Sequence, residues 1–178
     1  MRVPRHELGR EIRCLMRSLR LATLSTGLAT AEGWPYGSMV TVAIDQSAYP
    51  LLLLSDLSDH TQNLAEDSRA SLLFVQPTRH RNPQRGARVT VLGNIRKTDK
   101  SQHAARFLTM HPEAQMYADF GDFNFYRMSV DRAHWVGGFA QAQWLNGKHV
   151  TFKGTKVQTI SEAEAGVIDH VNLDHSDT

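Results

Sequence analysis

The chain has a single cysteine, Cys14, which excludes an intramolecular disulfide and any metal cluster held by several thiolates. A reducing cytoplasm is the expected compartment. No apolar run approaches the roughly 18 to 20 residues that cross a bilayer, so no membrane partner is expected. The charged N-terminus is not followed by an apolar segment, and no secretory leader is expected. Nine histidines are present, but none forms an HxH or HExxH pair, and no metal site is expected. Charge of one sign is scarce too. The net charge is +2, and no charged groove interleaved with aromatics is evident, which removes nucleic acid from the expected partners.

What is present is ordinary for a globular domain: 178 residues, 41% hydrophobic and 21% charged, enough for a real core. Residues 6–20 place Leu8, Ile12, Leu15, Met16 and Leu19 on one helical face with arginines opposite, an amphipathic helix packed on something larger. From Leu21 the period shortens. Strands are expected at Leu21–Thr26, Tyr36–Asp45 and Tyr49–Ser55, joined by short turns that favour an antiparallel meander. Gln76–Gly86, QPTRHRNPQRG, is too polar and too rich in Pro and Gly to be packed, and reads as a surface loop. Ala87–Ile95 is a strand in which Gly93 marks a bulge or a close backbone approach. A helix follows at Asp99–Met110, then a short one from Pro112. Phe120–Val130 reads as a strand, Val136–Phe139 as a tight strand or bulge, and Trp144–Gly147 as a type I′ hairpin turn. Seven or eight short strands with few helices predict a mainly β fold with peripheral helices, a small closed barrel. The expected domain covers residues 1–155; residues 156–178 form an acidic tail.

The most informative stretch is Ser55–Phe74, SDLSDHTQNLAEDSRASLLF. It follows Leu51-Leu-Leu-Leu54, a run suited to a strand buried on both faces. Ser58 reads as a helix N-cap with Thr61 at N3. A strand, a hydroxyl-rich turn and a helix start together offer unpaired N–H groups, a favourable dipole and side-chain donors from Ser55, Ser58, His60 and Thr61 to an anion. An ordinary helical crossover with a capped start accounts for the same residues.

Ser38-Met-Val-Thr-Val-Ala43, Ser58-Asp-His60, Leu64 and Asp67–Phe74 resemble the FMN-binding core of the pyridoxamine 5′-phosphate oxidase superfamily, and Arg88–Gly93 resembles its "QVRVEG" strand. Leu21-Ala-Thr-Leu24, Gly33–Val40, Leu52–Leu64 and Tyr126–Ala140 are similar to motifs that recur together in the haem-utilisation (HugZ-type) branch. His170-Val-Asn-Leu-Asp-His175 resembles the opening of a small C-terminal domain in longer members, and that domain is expected to be absent here.

The resemblance implies a split β-barrel forming a homodimer with FMN at the interface. It implies that Ser38, Met39, Val40 and Thr41 run along the flavin, and that Ser55, His60, Thr61 and Asn63 meet its phosphate and ribityl chain. Arg88 falls where the family uses a Gln to contact FMN, and its cation would restore positive charge to the cofactor site. The family's basic phosphate-binding pair falls on Asp59 and His60, and an aspartate does not help an anion. Flavin would carry the redox chemistry, and no residue stands out as a catalytic base or nucleophile. Pyridoxamine phosphate oxidation itself is not expected: the family's substrate lysine falls on Ala43, and its C-terminal substrate motifs are missing. The expected function is that of an FMN-binding oxidoreductase, with haem as a further ligand or substrate. A flavin-binding dimer without turnover, a carrier, sensor or scaffold, is the alternative. Iron ligation would fall to His149, His170 or His175, and the Arg79–Arg88 loop would meet the propionates.

Overall fold

The eight strands of the described residues curl into one antiparallel sheet whose two outermost strands are consecutive in sequence. The computed structural model describes residues 3–138 and 141–152. The strands are β1 (Leu21–Leu28), β2 (Trp34–Thr41), β3 (Ala43–Ile44), β4 (Pro50–Ser55), β5 (Arg69–Val75), β6 (Arg88–Lys97), β7 (Phe123–Val136) and β8 (Ala142–Asn146). Their order is β2-β1-β5-β6-β7-β4-β3, with β8 added to β7. β2 and β3 are the two edges, and only Val42 separates them. The barrel therefore closes through the chain itself, and its split lies between β2 and β4.

Among the described residues three helices surround it: α1 (Arg5–Ser18), α2 (Asp59–Glu66) and α3 (Lys100–Met110). The apolar stripe of α1 buries Leu8, Ile12, Leu15 and Met16 in the barrel core together with Leu24, Leu72, Phe74 and Val91. β4 is buried on both faces, as its leucine run predicts. Leu52 and Leu54 enter the barrel core, while Leu51 and Leu53 join Phe107, Ala114 and Phe125 under α3. His111, only 1% exposed, donates through Nε2–H to the Val42 carbonyl at 3.0 Å. This pins the joint between the two edge strands.

The surface loop at 76–86 is as expected, and Gly93 fulfils both of its readings. The β6–β7 register slips at Leu92/Gly93, and a Cβ on Gly93 would lie 1.8 Å from the Ser129 carbonyl oxygen. Other expectations are corrected. The meander holds for the β1–β2 and β3–β4 hairpins, but these lie at opposite ends of the sheet order, with β4 paired to β7 and β5 between β1 and β6. The single strand expected at Tyr36–Asp45 begins at Trp34 and breaks at Val42, where the backbone N–H turns to the Arg20 carbonyl. Trp144–Asn146 is strand, not a hairpin turn; the β7–β8 turn closes from Gly137 N–H to the Gln141 carbonyl. Gly147 is there because a Cβ would meet the Val130 oxygen at 2.0 Å. Phe139, His170, His175 and the 156–178 tail lie outside the described residues.

Candidate functional site

The first turn of α2 lies at the split. Ser58 stands at its N-cap, yet its side chain makes no bond to the helix amides. Its Oγ donates instead to the Ser55 carbonyl at 2.6 Å. A hydroxyl has one proton, so the 2.9 Å contact with His60 runs from Nε2–H to Ser58 Oγ. Nδ1 is then the acceptor, and Ser38 Oγ on β2 donates to it at 3.3 Å. Thr61 Oγ1 lies 3.1 Å from Ser58 Oγ. The imidazole thus ties α2 to β2 and is held in one neutral tautomer. Burial pushes its pKa below the ordinary value, with Asp59 opposing more weakly.

The other predicted residues divide among several surroundings. Ser55 Oγ donates to Asp122 Oδ2 at 2.6 Å. Asn63 is 2% exposed; its Oδ1 accepts from Ala29 N–H at 2.8 Å, and its Nδ2 donates to Thr26 Oγ1 at 2.9 Å. Along β2 the side chains alternate. Val40 is buried in the core, whereas Met39 is 75% exposed. Register with β1 puts Thr41 on the same outward face as Met39, and Ser38 on the inner face. Arg88, at the start of β6, bonds to the carbonyls of Gln84 and Gly86 at 3.0 and 3.4 Å. His149 sits in a 3₁₀ turn whose backbone carbonyls accept from Arg13.

For a flavin this set fits one half and not the other. Among the described residues β2 pairs only with β1, so its second edge offers alternating N–H and C=O groups to a planar ring. The phosphate is less well served. No Arg or Lys bonds to the Ser38–Ser55–Ser58–His60–Thr61 group among the described residues, and the charges that act on it are those of Asp122, which accepts from Ser55, and of Asp59 beside His60. The dianion would be met by neutral hydroxyls already bonded to one another.

Two features were not anticipated from sequence. A cleft of about 640 Å³ opens beside α2, lined by Asp56, Thr61, Leu64, Ser68, Lys97 and Tyr126. Asp56 gathers Lys97 at 3.1 Å, Asn124 at 3.0 Å and the Tyr126 hydroxyl at 3.3 Å. Burial first, and Asp56 second, raise the Tyr126 pKa, so its phenol stays protonated.

The second feature is the outer face of the sheet. One register row crosses six strands: Met39, Thr23, Leu73, Thr90, His134 and Trp144. Five strand steps of about 4.8 Å make it roughly 24 Å long. Leu21, Val75, Met39 and Trp144 on this face are 49%, 47%, 75% and 55% exposed. The alternation in Asp131–Val136 marks the outward residues of β7. Their neighbours depend on strand register that no local pattern contains.

The curled antiparallel sheet, its split and the helices around it make this a split β-barrel of the pyridoxamine-phosphate-oxidase type. Residues 4–151 match the family model described as the CREG β-barrel; the chain belongs to that family. It is 34% identical over 172 residues to the chloroplastic heme oxygenase HOZ of Arabidopsis thaliana, covering 94% of this chain and 52% of that protein. The chain thus spans about half the length of the curated relative it matches. A heme-binding protein from Mycobacterium smegmatis superposes with a TM-score of 0.75 at 31% identity, covering 99% of this chain and 71% of that one. ChuZ from Campylobacter jejuni superposes with a TM-score of 0.71 over 83% of this chain and 63% of its own, at 18% identity, a likeness of fold alone. No described helix is long and apolar enough to cross a membrane.

Proposed function

We propose that this protein binds haem as a homodimer and takes part in haem turnover as an oxidoreductase. The observation that carries the reading is the outer sheet face, where apolar side chains and an imidazole lie in one register row. A haem asks for a flat apolar surface, a nitrogen ligand and cations for its propionates. Arg88 and Arg132 stand on that face in the adjoining rows, and neither has a carboxylate partner among the described residues. The naming of the Mycobacterium smegmatis and Arabidopsis thaliana proteins supports the same ligand. The second copy would cover the apolar part of the face over β2, β1 and β5, since exposed apolar patches of this kind mark association surfaces. Oxidative cleavage would draw dioxygen and electrons from outside the chain. The exposed free thiol of Cys14 suits a reducing compartment such as the cytoplasm.

FMN is the second reading, favoured by the open edge of β2 and by the hydroxyl-rich start of α2; a flavin-binding dimer without turnover falls under it. One titration separates the two. Added hemin is expected to give a Soret band that decays under a reductant in air. A protein purified with the visible bands of flavin and unresponsive to hemin would overturn the haem reading in favour of the flavin. A colourless protein that binds neither would overturn both.

A further inference from the structure

We propose that His134 is the protein's axial ligand to haem iron, on the β6–β7–β8 margin of the outer face. Trp144 would fix the imidazole plane, and Arg132 and Arg88 would meet the propionates. The inference rests on the haem reading above and names the residues of that site.

His134 and Trp144 are directly opposed across β7 and β8. Their rings stack with centroids 4.6 Å apart and planes 28° from parallel. Stacking fixes a ring's orientation without using either of its nitrogens. Neither ring nitrogen of His134 has a hydrogen-bond partner among the described residues, so a lone pair is available to a metal. A ligand there meets little but side chains: Thr90 lies beside His134 on β6, Val136 two residues along on β7, and Ala142 opposite Val136 on β8.

The charge is placed to match. Arg132 is two residues before His134 on the same face, about 7 Å away along the strand. Arg88 is opposite Val136, in the row on the other side. Two cations thus flank one imidazole, as a ring with two carboxylates requires; Arg88 spends Nη1 on the Gln84 and Gly86 carbonyls and would meet a carboxylate through its other N–H groups. Clefts adjoin Trp144 on both sides, one of about 490 Å³ that includes Arg132 and Asn146 and one of about 560 Å³ that includes Arg5 and Ala142.

Several of the other described histidines are less suited. His60 uses both nitrogens within its own cluster. His111 is buried and bonded to Val42. His80 is engaged by Asn82 and Arg85. The His149 ring has no hydrogen-bond partner among the described residues, but it lies in the 3₁₀ turn held by Arg13 rather than on the arginine-flanked face.

The test is hemin titration of the full chain, followed by absorption and electron paramagnetic resonance, on wild type, His134→Ala and His149→Ala. The wild type is expected to show a histidine-ligated spectrum. His134→Ala should lose that signature and bind at least tenfold more weakly, and free imidazole should restore the wild-type spectrum. His149→Ala should match wild type. Unchanged spectrum and affinity in His134→Ala would overturn the ligand assignment while leaving haem binding intact. Loss of the signature in His149→Ala alone would overturn it too. A wild type that binds no hemin would overturn the haem reading itself.

Discussion

Two imidazoles of this protein, His60 and His134, have opposite circumstances. His60 lies against β2 at the split, with one nitrogen bonded to Ser38 and the other to Ser58. His134 is four strands away in the sheet order, on the outer face, stacked on an indole and with no hydrogen-bond partner among the described residues. The first belongs to the stretch that its motif marks as a site. Its donors and acceptors are consumed in holding α2 across the opening of the barrel. The second belongs to no motif, and its neighbours come from strands far apart in the chain. Hydrogen bonds spent on the fold are not available to a ligand, and by that measure His134 is the freer group.

The largest expected effect tests the structural side of this contrast. Asn63 joins α2 to the β1–β2 connection through Ala29 and Thr26. Asn63→Ala would leave the buried Thr26 hydroxyl and the Ala29 amide without their partner, at a cost of about 1 to 3 kcal/mol. The measurement is the denaturation midpoint without ligand. An unchanged midpoint, with weakened binding of added FMN, would show that Asn63 serves a cofactor and would break the comparison.

How far the chain could be read without its coordinates follows from the same distinction. The amphipathic α1, the doubly buried Leu51–Leu54 and the bulge at Gly93 are set by local pattern, and all appear as expected. Strand pairing is not local: Leu51 of β4 opposes Arg127 of β7, and nothing near Leu51 announces that partner. Asn146-Gly147 has the composition of a hairpin turn. Its glycine answers instead to a backbone oxygen of Val130, and its asparagine accepts from the Lys148 amide. The α2 cluster was legible as a group of polar residues at a helix start. That its members would bond to one another was not, because Ser38 arrives from another strand.

A smaller effect is expected on the apolar half of the outer face. Met39→Asp places a charge on its edge strand without entering the core, since Met39 is 75% exposed. The expected outcome is a shift from dimer to monomer in sedimentation, with the thermal midpoint of the monomer nearly unchanged. A wild type that is monomeric at every concentration would remove the second copy and leave the whole face to a ligand.

The smallest effect bears most directly on the contrast. Burial holds the His60 pKa below its ordinary value of 6.5, with Asp59 opposing. The unfolded chain therefore takes up the proton first as pH falls. The stability that His60 contributes is fully present above 6.5 and is lost as pH drops towards the folded value. His60→Gln keeps a donor and an acceptor but does not titrate, so its thermal midpoint should fall less steeply than wild type on the acid side of neutrality. His103, whose pKa burial also lowers, is present in both proteins, so the difference between the two curves belongs to His60. Parallel curves would mean that His60 charges as freely when folded as when unfolded. It would then be able to meet an anion at the start of α2, and the phosphate of a flavin would regain the one cation the cluster lacks.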